Sequence, residues 1–398
     1  MAFPCCCSML LFLLCSLVSL SSSLAKAGAK PTQIVLPIYK DASTLQYLTQ
    51  IRQRTPLVPA SKRCERCSWT PYGPGCTNAD TCWRFTDNTV TRHAYSGQVA
   101  SDVISINSTD GKGLGKVVTV PQFVFFCART GNADGLAKGV TGMAGLGRTK
   151  VALPVQLATA FNLKRKFGLC LSSSETTNGV VIFGDGPYNF DDSNLLQYTS
   201  LIINKENNQL QILIGEYSPE YFIGVKSIKI NNKIVNLNTT LLKINSEGFG
   251  GTKISTVNPY TVLETSIYNA VIKAFVNELK NVTRVPPVAP FGACFSWKNI
   301  GSTRVGPDVP NIDLVLEEKD VVWRMYGANS MVRVNKDVLC LGFVDGGEPP
   351  FVTSIVIGGH QLEDNLLTFD LVKLKLGFSS SLLFRQKTCS NYKLMPNA

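Results

Sequence analysis

At 398 residues the chain is too long for one ordinary hydrophobic core, which points to two domains or one large bilobal fold. A hydrophobic content of 44% with 17% charged residues excludes an intrinsically disordered chain. The formal net charge of +11 is spread along the sequence with no Lys/Arg run dense enough for a phosphate-binding motif, so it is a general bias and not a nucleic-acid signature.

The first element is an apolar block, Met9 to Leu20, too short to span a bilayer but suited to the hydrophobic region of a secretory signal. Ala25-Lys26-Ala27 fits the small-x-small cleavage rule, so residues 1–27 are read as a signal peptide and the mature chain as secreted, with no membrane span. No Lys or Arg precedes the apolar block, a departure from the usual pattern. Outside a cell, a basic protein finds its anionic partners among acidic polysaccharides and acidic protein surfaces. Secretion also makes Asn107-Ser-Thr, Asn238-Thr-Thr and Asn281-Val-Thr usable glycosylation acceptors.

Of the 13 cysteines, Cys5, Cys6, Cys7 and Cys15 leave with the signal, and nine remain. In an oxidising compartment these are disulfide candidates, and an odd number leaves at least one thiol without an intramolecular partner. Cys64-x2-Cys67 followed by Cys76-x5-Cys82 could be read as zinc ligands. The second pair is wider than the tight spacing that thiolate zinc sites use, which favours local disulfides and no metal.

After residue 28 the chain alternates short apolar runs with turn signals. The runs at 33–38, 117–126, 167–171 and 180–184 read as strands, as do those at 221–230, 314–316, 321–323 and 338–343. The class is therefore mainly β. A helix is expected from Ser266 to Asn281, with Ile267, Ala270, Val271, Ala274, Phe275 and Leu279 on one face and Thr265 or Ser266 as its cap. A shorter helix is expected over 154–161. The polar segment 204–209 reads as a linker, dividing the chain into residues 28–203 and 204–398.

Two glycine-centred segments, Gly139-Val-Thr-Gly-Met-Ala-Gly-Leu-Gly-Arg and Ser354-Ile-Val-Ile-Gly-Gly-His-Gln-Leu-Glu-Asp-Asn, resemble the paired hydrophobic-glycine segments of the two pepsin lobes. There the glycines let a strand pass close beneath the active-site loop. Longer phrases, Asp41-Ala-Ser-Thr-Leu-Gln-Tyr, Gln53-Arg-Thr-Pro-Leu, Asn258-Pro-Tyr-Thr-Val-Leu and Ser302-Thr-Arg-Val-Gly-Pro, narrow the resemblance. They are similar to a plant, non-proteolytic subgroup of the pepsin-like fold. It comprises extracellular dermal glycoproteins, basic 7S globulins, and xyloglucan-specific endoglucanase and xylanase inhibitor proteins. The resemblance covers the whole mature chain and implies a bilobal aspartic-protease fold.

Aspartic proteolysis needs two carboxylates sharing one proton around a water, each at a strand-loop tip. The resemblance places Ser255 at the second tip, where a hydroxyl cannot hold the charge that the pair requires. In relatives the segment after Gln53-Arg-Thr-Pro-Leu-Val58 leads to a strand bearing Asp-Leu-Gly-Gly and then Trp-Val-Asp-Cys. Here Val58 runs into Pro59-Ala-Ser-Lys-Arg-Cys64, so the N-terminal lobe is expected to be shortened by the loss of its first catalytic strand, with poorly covered core neighbours and an unpaired sheet edge. Neither Asp-Thr-Gly nor Asp-Ser-Gly occurs in the chain. The two histidines, His93 and His360, come with no Gly-x-Ser-x-Gly elbow, so both are expected to be structural.

The resemblance implies disulfides Cys294–Cys340 and Cys170–Cys389, and leaves Cys127 as the unpaired cysteine. It also implies two inhibitory loops. One carries Arg304 and the other Arg385, with Gln386 and Lys387 beside it. A projecting arginine can pair bidentately with the two carboxylates of a glycosidase cleft, and a basic inhibitor is steered toward an acidic cleft. The expected activity is therefore inhibition of microbial cell-wall glycosidases of family 12 or family 11, with no cofactor. A basic storage or wall-binding globulin is the alternative, and an aspartic endopeptidase a remote third.

Overall fold

The computed structural model describes residues 30–53, 58–59, 83–111, 113–127, 133–186, 188, 195–206, 217–347 and 352–392. Cys64, Cys67, Cys76 and Cys82 lie outside these residues, as does the side chain of Cys127.

The architecture grows from strands with continuous apolar runs. In Gln33–Lys40, residues Ile34, Leu36 and Ile38 join the main core, while Val35 faces a second cluster with Cys170, Val180, Ile182, Leu366, Leu382, Cys389 and Tyr392. Alternation with a period of two thus buries both faces, which is why these strands carry continuous apolar runs. Lys166–Cys170 and Gly179–Phe183 show the same division: Phe167, Leu169, Val181 and Phe183 lie on the main-core side. The second face is roofed by the C-terminal residues Leu382, Cys389 and Tyr392.

These strands link the two halves of the sequence. Gln33–Lys40 pairs antiparallel with Gly179–Phe183, which pairs with Lys166–Cys170. That strand pairs in turn with Leu366–Asp370 from the far end of the chain, and Leu366–Asp370 with Lys375–Phe378. Lys375–Phe378 returns to Gln197–Ile202. From there Tyr221–Ile223 leads to Thr252–Ile254, and the set closes as a barrel. The fold is mainly β, as the strand pattern indicated.

In the C-terminal half a sheet of Lys233–Ile234, Val225–Ile230, Ile312–Leu316 and Val322–Met325 packs against the helix Thr265–Glu278. A further sheet joins Arg284–Val285, Cys294–Ser296, Val338–Leu341 and Met331–Arg333. Both disulfides that the resemblance implied are present, one within this half and one joining it to the first half. Cys294 and Cys340 are bonded across directly opposed strand positions, and Cys170 is bonded to Cys389.

Two expectations need correction. The helix runs Thr265–Glu278, and its cap is Glu264, not Thr265 or Ser266. The Glu264 carboxylate accepts from the Ile267 amide at 3.1 Å and from the Ser266 hydroxyl, so the serine serves the cap without being it. The shorter helix spans Leu153–Phe161, with a proline in its first turn. Asn204, first residue of the expected linker, is buried and donates to the Gly248 carbonyl at 2.8 Å.

The second correction concerns the glycine segments. The C-terminal one behaves as expected: Ile355–Ile357 runs parallel to Thr252–Ile254, and the Ser255 amide donates to the Ile357 carbonyl at 2.9 Å. A Cβ on Gly358 would lie 2.2 Å from the Tyr260 carbonyl carbon, so the strand passes where no side chain fits. The N-terminal segment does this only at its end, where a Cβ on Gly147 would come within 3.2 Å of the Pro219 carbonyl oxygen. Positions 141–145 are exposed, Met143 at 43%, and a Cβ on Gly142 or Gly145 would meet no described atom within 4 Å.

Candidate functional site

The tip that would hold the second catalytic carboxylate is built by Thr252–Ile254, the turn from Ser255, and the returning strand Thr261–Leu263. Ser255 Oγ accepts from the amides of Val257 (3.2 Å) and Asn258 (3.3 Å) and donates to Asn258 Oδ1 at 3.0 Å. Its one donor and both acceptor positions are taken by the turn. The hydroxyl closes the loop and has no capacity left to activate water. Behind it, Lys253 is 9% exposed and pairs with Glu220 at 2.7 Å.

Neither histidine forms a triad with a described serine. His93 is exposed at the start of the strand His93–Thr109. His360 is held from both sides: Nε2 lies 3.1 Å from the Met331 carbonyl, which can only accept, so that nitrogen carries a hydrogen. Nδ1 faces Glu363 Oε2 at 3.2 Å. Glu363 is buried, and it also takes Lys40 Nζ at 2.7 Å and the Tyr47 hydroxyl at 2.8 Å. Burial pushes its carboxyl up, but the hydrogen bonds and charges of His360 and Lys40 outweigh this and hold it below the ordinary glutamate value. The Tyr47 hydroxyl is pushed well up by burial and by the same carboxylate.

These groups line a pocket of about 330 Å³ with Ser173, Tyr260 and Arg333. The Ser173 hydroxyl donates to Asp364 Oδ2 at 2.6 Å, a carboxylate whose other oxygen holds the Cys389 amide, and no histidine faces it among the contacts of the described residues. Lys40, Tyr47 and Glu363 were not foreseen as a group. Within the pocket Lys40, Tyr47, His360 and Glu363 are mutually paired, which braces the strand Gln33–Lys40 against the turn at Gly359–Leu362. Among the described residues no cluster of His, Cys, Asp and Glu has the makings of a metal site.

The two arginine-bearing loops come together. Arg304 sits at the tip of a hairpin formed by Ser302–Thr303 and Gly306–Pro307. Gly306 has φ 97°, and a Cβ there would lie 2.2 Å from the Ala328 amide, so the hairpin lies flat on the turn Gly327–Ser330. Arg385 belongs to the turn Leu383–Arg385 and is exposed. That turn is fixed at both ends by one residue: the Leu382 amide donates to the Asp364 carbonyl at 2.8 Å, and the Cys389 amide to Asp364 Oδ1 at 2.8 Å. Gln386 follows in the left-handed region (φ 55°), and the Lys387 amide turns back to the Leu382 carbonyl. The loops meet where Arg304 NH1 donates to the Phe384 carbonyl at 3.2 Å.

Of the glycosylation acceptors, Asn238 and Asn281 are exposed. Asn238 caps the turn Thr239–Leu242 through its side-chain oxygen, which accepts from the Thr240 amide at 3.1 Å. Asn107 is half-buried in a strand and donates to the Gly115 carbonyl at 3.3 Å.

Two matched families decide the family question: xylanase inhibitor N-terminal over residues 18–185 and xylanase inhibitor C-terminal over residues 220–380. The chain belongs to the xylanase inhibitor family. Within this xylanase inhibitor family it is similar to a Nicotiana benthamiana protein named "Probable aspartic proteinase GIP2", 52% identical across 98% of this chain and 99% of the relative. It is 41% identical to "Gamma conglutin 1" of Prunus dulcis, across 96% of both chains. The crystal structure of edgp superposes with a TM-score of 0.85 at 51% identity, covering 93% of this chain and 99% of that one. That of basic 7S globulin from soybean gives 0.74 at 32%, covering 91% and 99%. These neighbours place the chain in the bilobal pepsin-like fold. The alignment with the Nicotiana protein runs over 437 positions, more than the 398 residues available here, so part of that relative has no counterpart in this chain.

Proposed function

We propose that the chain is a secreted, non-catalytic member of the xylanase inhibitor family that binds and blocks microbial cell-wall glycoside hydrolases in plant defence. Its signal would be residues 1–27, its lobes 28–203 and 204–398, and its targets family 12 endoglucanases or family 11 xylanases. Arg304 and Arg385 would enter the cleft and pair with its two carboxylates. The observation that supports this most is the hydrogen bond from Arg304 to the Phe384 carbonyl, because it makes one rigid surface of two loops that the sequence singled out separately. Non-catalysis is supported by Ser255, whose hydroxyl is consumed by its own turn, and by the absence of Asp-Thr-Gly and Asp-Ser-Gly. On this reading the segment that longer family members carry and this chain lacks would follow Val58 and would include the first catalytic strand.

Purified protein should slow a family 12 endoglucanase at micromolar concentration. Arg304→Ala should weaken inhibition by on the order of tenfold or more, the loss expected of a desolvated charge pair. An unchanged enzyme rate, or an Arg304→Ala variant as potent as the parent, defeats the reading. The similarity to proteins named gamma conglutin and basic 7S globulin favours one alternative, a storage or wall-binding globulin. Salt-sensitive retention on pectin without glucanase inhibition would select it.

A further inference from the structure

Phe384 is 47% exposed, while phenylalanines of the core such as Phe167, Phe183, Phe222 and Phe275 are fully buried. Its ring is not loose. It rests edge-on against Tyr326, with centroids 4.7 Å apart and planes at 78°. Tyr326 follows the strand Val322–Met325, which carries Arg324. Arg324 grips buried Asp313 bidentately, Nε to Oδ1 and NH2 to Oδ2, each at 2.7 Å. The turn carrying Phe384 is pinned at both ends to Asp364, and its carbonyl holds Arg304. An apolar ring is thus presented to solvent in a set position, with a guanidinium at its side.

We propose that Phe384 is the apolar anchor of the contact surface, its ring settling on the aromatic platform of a sugar subsite in the glycosidase cleft while Arg304 reaches the carboxylates beside it. This rests on the inhibitor reading above and names the chemistry of its partner. A cleft that cleaves β-linked glucans combines paired carboxylates with aromatic surfaces that stack on the apolar faces of the sugar rings. Phe384 and Arg304 match both features at once. Ordering them costs little on binding, because the ring already rests against Tyr326 and its turn is already pinned to Asp364. An acidic polysaccharide would need the arginine but not the ring.

The test is the inhibition constant of the parent, Phe384→Ala, Phe384→Trp and Arg304→Ala against a family 12 endoglucanase. Unfolding midpoints serve as the control for folding. Phe384→Ala should bind on the order of tenfold or more weakly with an unchanged midpoint, while Phe384→Trp stays near the parent. A cello-oligosaccharide that fills the cleft should compete with the parent. If the parent inhibits and Phe384→Ala inhibits equally well, the anchor is refuted and the inhibitor reading stands. If the parent does not inhibit at all, the inhibitor reading itself is lost. Loss of retention on pectin by Phe384→Ala, with inhibition intact, would also overturn the anchor.

Discussion

Ser255 shows how one residue can settle a chemical question. The turn uses its hydroxyl three times, twice as acceptor and once as donor. Ser255→Ala should therefore cost about 1 kcal/mol, the net value of a hydrogen-bonded turn, and leave target binding unchanged. Urea unfolding of the two proteins, with inhibition measured in parallel, checks both halves of that statement. The tip was legible in the sequence because a β-branched run followed by a polar turn has a local signature. The brace around Glu363 was not. Tyr47 and Glu363 lie 316 residues apart, and nothing in either neighbourhood announces the other. His360 was read as structural on the strength of its glycine surroundings. Its partners, Met331 and Glu363, became visible only when the chain was folded.

At the scale of elements, the two glycine segments look alike in sequence and differ in the fold. The reason is what lies next to them. Gly358 runs against the Tyr260 backbone, whereas Gly142 has no described atom within reach of a Cβ. Periodicity and glycine content report how closely a segment can be approached, not whether anything approaches it. The contrast is measurable. Gly358→Ala forces a Cβ to within 2.2 Å of backbone and should lower stability by about 2–3 kcal/mol, as overpacking at a rigid site does. Gly142→Ala should stay within about 0.5 kcal/mol of the parent. Equal unfolding midpoints for the two variants would show that the N-terminal segment has a covering partner after all. The helix cap carries a related lesson. Ser and Thr are the usual candidates, and Ser266 is present, but the longer Glu264 side chain reaches the Ile267 amide and adds a negative charge where the helix dipole favours one.

At the scale of the molecule, the first half of the chain is joined to its C-terminal region by strand pairing, by Cys170–Cys389, and by the Lys40–Glu363 ion pair. The ion pair should give the fold a dependence on pH. Glu363 is held below its ordinary value of 4.5 in the folded state, so the stability it contributes is complete above that value and is lost as pH falls through the lower, folded one. Its neighbour Asp364 acts with the opposite sign. Burial outweighs its hydrogen bonds and raises its carboxyl, so the fold favours its protonated form and recovers part of the loss in acid. Glu363→Gln separates the two. At neutral pH the variant should be less stable by about 1–3 kcal/mol, because half-buried Lys40 loses its counter-charge. As pH falls below about 4.5 its unfolding midpoint should fall less steeply than the parent's, since a carboxyl held low in the fold has been removed. Parallel acid slopes would mean that Glu363 is not the residue through which acid loosens this joint.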